Sequence, residues 1–182
     1  MVEKDGVQLL NDPWVKGSVF WRSWWNYPPV SDELVNSLKP DFINLTHIHW
    51  DHFQAVSLRL FPKKTPIIVP WASSNRMERD LKYLGFNDVI PLKHGQSLKL
   101  DTDFELISYH IGYLGHVIDS AVILKDGNTT LLNMNDSKFM GLPLKQILKK
   151  HKPIDFVFLS FSPANSRLSY EVMGNESVLF DD

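Results

Sequence analysis

At 182 residues the chain has the length of one domain with room for a substantial core. Its 43% hydrophobic and 22% charged residues are ordinary for a soluble globular protein, and a formal charge of −2 gives no electrostatic argument for nucleic acid or anionic membrane. The absence of cysteine excludes disulfides, Cys-ligated iron–sulfur centres and thiolate zinc sites within this chain, so any metal must be held by nitrogen and oxygen donors.

In chain order, the opening Met-Val-Glu-Lys-Asp-Gly lacks the apolar stretch of a signal peptide. Val7–Leu10 is a short strand running into the turn former Asn11-Asp12-Pro13. An aromatic stretch follows, from Phe20 through Trp21, Trp24 and Trp25 to Tyr27, closed by Pro28-Pro29; the three tryptophans either wall a substrate pocket or, as aromatic residues this dense more often do, fill a core or an interface. Ser31 is the N-cap of a short helix through Leu38, stopped by Lys39-Pro40. Asp41–Leu45 and Thr65–Pro70 read as strands, the first of them buried, and a helix is expected from about Ser73 to Leu84, ended by Gly85. Val89-Ile90, Ser97–Leu100 and Phe104–Ser108 are further strands. Ser120–Leu124 and Thr129–Asn133 flank an Asp126-Gly127 hairpin signal. A helix over Pro143–Lys150, its lysines a solvated end, precedes a last buried strand, Asp155–Leu159. Strands and helices interleave with strands in the majority, which predicts an α/β or α+β sandwich with helices covering sheet faces. Nothing marks a linker, so residues 1–182 read as one domain. No apolar run approaches the ~18–20 residues that span a bilayer, and the expected location is cytoplasmic.

The chemistry is concentrated directly after the strand Asp41–Leu45. His47, His49, Asp51 and His52 fall within six residues, in the run Thr-His-Ile-His-Trp-Asp-His at 46–52. If extended geometry persists, His47, His49 and Asp51 point to one side, and a turn into a helix lets His52 serve a second nearby metal. Imidazole and carboxylate donors of this kind suit Zn, and also Fe or Mn.

His47-Ile48-His49-Trp50-Asp51-His52 resembles the His-x-His-x-Asp-His signature of the metallo-β-lactamase superfamily. That family adds a histidine and an aspartate, each in a loop beside a strand; here Gly115-His116 and Asn135-Asp136 match them, 64 residues after His52 and 20 after His116. The resemblance implies an αββα sandwich with one metal on His47, His49 and His116, a second on Asp51 and His52, and Asp136 bridging the two. His110, close after a strand, is the rival to His116; His94 and His151 are expected at the surface. Asp119 and Ser120 either orient His116 or form an ordinary turn, and Trp50 borders either the site or the core. Asp12-Pro13-Trp14, the Trp24-Trp25 and Pro28-Pro29 pairs, Asp41–Phe53 and Gly115–Ser120 look more narrowly like the metallo-β-lactamase-like domain of CMP-N-acetylneuraminate hydroxylases. Those enzymes also carry a Rieske centre, which needs cysteine.

One departure concerns the second metal, which in the superfamily usually gains a late histidine. No histidine follows His151, and 46 residues follow Asp136, so the second half of the fold is expected to be short and the second site weak. The implied activity is that of a metal-dependent hydrolase acting through metal-activated water on an ester, amide, lactone or phosphodiester, with one or two Zn ions and Asp51 as the catalytic carboxylate. An iron-dependent, hydroxylase-like domain with a separate electron donor is the alternative, and a non-catalytic metal-binding domain is a third. A small-molecule substrate is the expected partner, and self-association is compatible with the composition.

Overall fold

The computed structural model describes residues 1–111, 119–137, 139–160, 168–173 and 176–181. It opens on a hairpin that the turn chemistry explains. β1 (Val2–Lys4) pairs antiparallel with β2 (Val7–Asn11), and Asp5 and Gly6 between them take φ of 49° and 85°, as a tight two-residue turn requires. β1 was not anticipated, although Asp-Gly is the signal that marks such a turn.

α1 (Asp32–Ser37) starts where expected: the Ser31 hydroxyl accepts the Leu34 N–H at 3.1 Å. β3 (Phe42–Asn44), α2 (Ala55–Leu58), β4 (Ile67–Pro70), α3 (Arg76–Tyr83) and β5 (Val89–Leu92) follow. The first sheet has the order β1-β2-β3-β4-β5 and is parallel from β2 onward. α3 begins later than predicted because Asn75, not Ser73, accepts the Glu78 N–H. α2 was missed; its cap is a glutamine, Gln54, whose side-chain oxygen accepts from Val56 and Ser57.

The second sheet is built from β6 (Ser97–Asp101), β7 (Phe104–Ile111), β8 (Asp119–Asp126), β9 (Thr129–Asn135) and β10 (Phe156–Leu159), with α4 (Gly141–Lys150) before its last strand. Its order is β10-β9-β8-β7-β6, antiparallel except for the β9–β10 pair. β11 (Leu168–Met173) and β12 (Glu176–Asp181) form a separate antiparallel pair that was not predicted.

Strand alternation then builds the layers. Leu9, Ile68 and Leu92 of the first sheet meet Leu106, Val122 and Leu124 of the second in one buried cluster. On the other face of the first sheet, Ile43, Ile67 and Val69 pack with Leu58 of α2 and with Met77 and Leu81 of α3. On the far face of the second, Ile107, Ala121 and Leu132 pack with Ile147 of α4. Each fully buried Leu or Ile contributes about 1.5–3 kcal/mol. The result is the predicted α/β sandwich of helix, sheet, sheet and helix. β10 departs from expectation: it lies at a sheet edge with all of Phe156–Leu159 exposed, and it is not the last strand. A short apolar run does not reveal how many of its faces are covered.

Candidate metal centre

β3 delivers the chain to the site. Leu45, Thr46 and His47 continue from it fully buried, and then the backbone folds sharply: the N–H groups of His52 and Phe53 both donate to the His49 carbonyl, at 3.0 and 2.7 Å. This turn corrects the extended reading of the loop. With the backbone closed at His49, Asp51 no longer shares a side with His47 and His49 but joins His52. Two groups of donor atoms result, each within 4.8 Å: His47, His49 and Asp136, and Asp51, His52 and Asp136. Asp136 belongs to both, carried there from the second sheet by the end of β9.

The lone pairs converge in a way that suits a cation. His47 Nε2 and His49 Nδ1 face each other at 2.8 Å, and two imidazole lone pairs at that distance require a proton or a cation between them. His52 Nε2 lies 3.3 Å from Asp51 Oδ2 and 3.4 Å from Asp136 Oδ2. Asp51 Oδ1 is buried with no hydrogen-bond partner among the described residues, an arrangement that is costly for a carboxylate oxygen unless something positive sits there. The donor set is all nitrogen and oxygen, as zinc, iron or manganese accepts. The residues present fit a metal.

Behind this cluster stands Asp12, a residue held at φ 44° after β2, whose role there sequence reasoning missed. Its Oδ1 accepts the Thr46 N–H at 2.7 Å, while its Oδ2 accepts the Thr46 hydroxyl at 2.7 Å, Asn135 Nδ2 at 3.0 Å and His52 Nδ1 at 3.1 Å. An ionised carboxylate only accepts, so His52 carries its proton on Nδ1 toward Asp12 and turns Nε2 to the cluster. Burial lowers the His52 pKa, but the Asp12 hydrogen bond and the charges of Asp12, Asp51 and Asp136 outweigh it and raise the net value. His47 goes the other way: burial first, then the His52 charge, holds its pKa below the usual value and keeps it a neutral donor.

Asn135 takes φ 51°, a conformation asparagine tolerates, and its amide also reaches the Thr46 hydroxyl. From the neighbouring strand the Ser120 hydroxyl donates to the Thr46 carbonyl at 2.7 Å, so Ser120 anchors the metal loop directly. The sequence named Asp12, Asn135 and Ser120 only within longer motifs, and their convergence on Thr46 was missed because each stands among turn formers, where a local backbone role is the default reading.

His116 lies outside the described residues. His110, its rival, lies in β7 with Nε2 3.1 Å from Ser108 Oγ and joins neither donor group. Burial, then the His94 charge, lowers its pKa to about 4. His94 is exposed as expected, its Nδ1 accepting the His110 N–H. His151 is not a surface residue: it is 3% exposed, with Nε2 2.6 Å from the Tyr109 hydroxyl, because α4 lays its C-terminal end on the sheet. For the aromatic stretch, the core alternative falls away. Trp21, Trp24 and Trp25 are exposed rather than buried in a core, and Trp50 stacks on Phe20 at 6.0 Å and meets Trp21 edge-on at 4.9 Å.

No family model matches the chain. A Mycobacterium tuberculosis protein provisionally named a Rieske 2Fe-2S iron–sulfur protein is 28% identical over 171 residues, covering 90% of this chain and 33% of that protein. A cytidine monophosphate-N-acetylneuraminic acid hydroxylase of Asterias rubens is 33% identical over 70 residues, 38% of this chain and 11% of the hydroxylase. The chain spans about a third of the length of the mycobacterial relatives it matches. A Rieske cluster needs cysteines, and this chain has none. Among solved structures, CmlA, a diiron β-hydroxylase from Streptomyces venezuelae, superposes with a TM-score of 0.60 at 18% identity, covering 85% of this chain and 31% of CmlA. An isothiocyanate hydrolase from Delia radicum gut bacteria gives 0.61 at 16% identity, covering 84% and 64%. With two facing sheets, helices on their outer faces and these neighbours, the chain has the metallo-β-lactamase-like fold.

Proposed function

We propose that this chain is a metal-dependent hydrolytic domain whose ligands are His47, His49 and His116 for one ion, Asp51 and His52 for the second, and Asp136 for both. The observation that carries the reading is the pair of three-donor groups sharing Asp136, with the orphaned Asp51 oxygen among them. A shared carboxylate lets two cations sit close by offsetting their repulsion. When bound, such ions lower the pKa of water toward about 7 and polarise the bond under attack. The residues of the chain supply the rest. Asp12 and Thr46 fix the imidazoles of His52 and His47, and Asp51 stands where a carboxylate can orient a nucleophile or take its proton. Zinc and a water-derived nucleophile on an ester, amide, lactone or phosphodiester are the specific form of the proposal.

Similarity to a diiron hydroxylase and to CMP-N-acetylneuraminic acid hydroxylases favours a second reading, oxidation at iron with electrons from elsewhere. Elemental analysis of the purified protein, paired with a panel of chromogenic esters and phosphodiesters, tests the choice. Zinc with turnover that Asp51→Asn abolishes is expected. Redox-active iron without hydrolysis would favour the oxidative reading, and metal-replete protein inert in both assays would leave a binding domain.

A further inference from the structure

Beside the metal loop lies a cleft of about 370 Å³ walled by Phe20, Trp21, Arg22, Trp50, Phe53 and Val56. Its outer wall is held in an unusual shape. Phe20, Trp21 and Arg22 take successive positive φ values of 46°, 55° and 69°, a conformation that L residues resist. The run is closed underneath by the Val19–Trp24 bridge, the Ser23 N–H to Phe20 carbonyl bond at 3.1 Å and the Trp25 indole N–H to Arg22 carbonyl bond at 3.1 Å. Folding therefore maintains strain in order to present one Trp, 85% exposed, and one Arg at the lip of a concavity. The guanidinium has no carboxylate partner among the described residues. The inner wall is Trp50, which stands in sequence between the proposed ligands His49 and Asp51.

We propose that this cleft is the substrate-positioning subsite, and that it takes a small organic anion bearing a flat ring: the ring in the cleft against the wall that Trp21 and Trp50 form by meeting edge-on at 4.9 Å, the anionic group on Arg22. The inference rests on the proposed function only in setting the ligand beside the metals. Three features decide its chemistry. The volume matches one ring with substituents, where a protein or lipid surface would call for a broad face. Indole faces bind flat rings at little entropic cost. An unpaired guanidinium in an aromatic wall selects an anion, carboxylate or phosphate, and disfavours insertion into lipid.

The test uses fluorine NMR titration of 4-fluorophenyl phosphate, 4-fluorobenzoate and neutral 4-fluorobenzyl alcohol, on protein as purified and after chelator treatment. Saturable binding of both anions should survive chelation, with the alcohol weaker by about fivefold or more, as expected for a charge-assisted bond. Arg22→Gln should erase that preference without changing alcohol binding, and Trp21→Ala should weaken all three probes. Both positions are exposed, and unchanged thermal unfolding of each variant checks the fold. Equal affinity for alcohol and anions, an unaffected Arg22→Gln, or no saturable binding would overturn the proposal. So would binding that disappears with the metal. Co-sedimentation with phosphatidylcholine vesicles in place of probe binding would reassign the aromatic wall to a lipid surface. Metal counting on the same samples keeps the readings apart, since loss of the cleft leaves metal content unchanged and loss of metal leaves the cleft able to bind.

Discussion

Asp12 touches no donor group of the proposed centre except through His52, yet its carboxylate sets the tautomer and orientation of that ring. Asp12→Ala is expected to weaken the second metal by about 10–100-fold, the usual effect of removing a carboxylate behind a metal-ligating histidine, with a smaller loss at the first. Titration with a chromophoric chelator would read both. In the same assay His116→Ala should sharply reduce bound metal while His110→Ala should not; the reverse ranking would move the third histidine to β7. The histidines themselves were legible because the motif places four candidate ligand side chains in six residues. Asp12 was not, since Asn-Asp-Pro after a strand reads first as a turn and only the fold brings Thr46, His52 and Asn135 onto it. His151 was misread for a related reason: burial at a helix end depends on what lies beneath. Burial, then the charges of Lys125 and Lys150, lowers its pKa to about 4 from 6.5. An unfolded chain takes up that proton near pH 6.5 and the folded one resists it to about 4, so stability complete above pH 6.5 is lost as pH falls through this window. His151→Gln keeps a partner for the Tyr109 hydroxyl and should shift the acid-unfolding midpoint to lower pH, measurable by circular dichroism.

At the scale of elements, amphipathic spacing and capping were good guides wherever a segment was long enough to show them. α3 is an example: Met77 and Leu81 sit four apart on its buried face, and Gly85 at φ 92° ends it. Leu81→Ala should cost about 2–5 kcal/mol in chemical denaturation, against little for exposed Tyr83→Ala. Gly85→Ala would meet only the Lys63 side chain at 3.6 Å, so its cost, about 1–2 kcal/mol, comes from the backbone. Two of the shortest elements left too little pattern. β1 was hidden in a polar N-terminus, and α2 depends on a Gln cap that propensity does not favour. The exposure of β10 was invisible because an apolar tetrapeptide looks the same at an edge and in a centre.

At the scale of the whole molecule, the proposed ligands divide between the sheets: His47 through His52 follow β3 of the first, and Asp136 follows β9 of the second. The first ion has histidines in the majority; among the residues we assign, the second has Asp51, His52 and the shared Asp136. Dialysis against a mild chelator should therefore remove one equivalent well before the other, and simultaneous loss would reveal an additional donor to the second ion. The division has a further, mechanical consequence. A cation gripping both sheets is a rivet through the seam where Leu9 and Ile68 meet Leu106 and Val122. Shear that slides one sheet along the other must stretch the rivet before it disturbs the helices outside. Pulled apart at the seam, such a protein would yield abruptly rather than gradually, and the force at which it yields would record whether the rivet was in place.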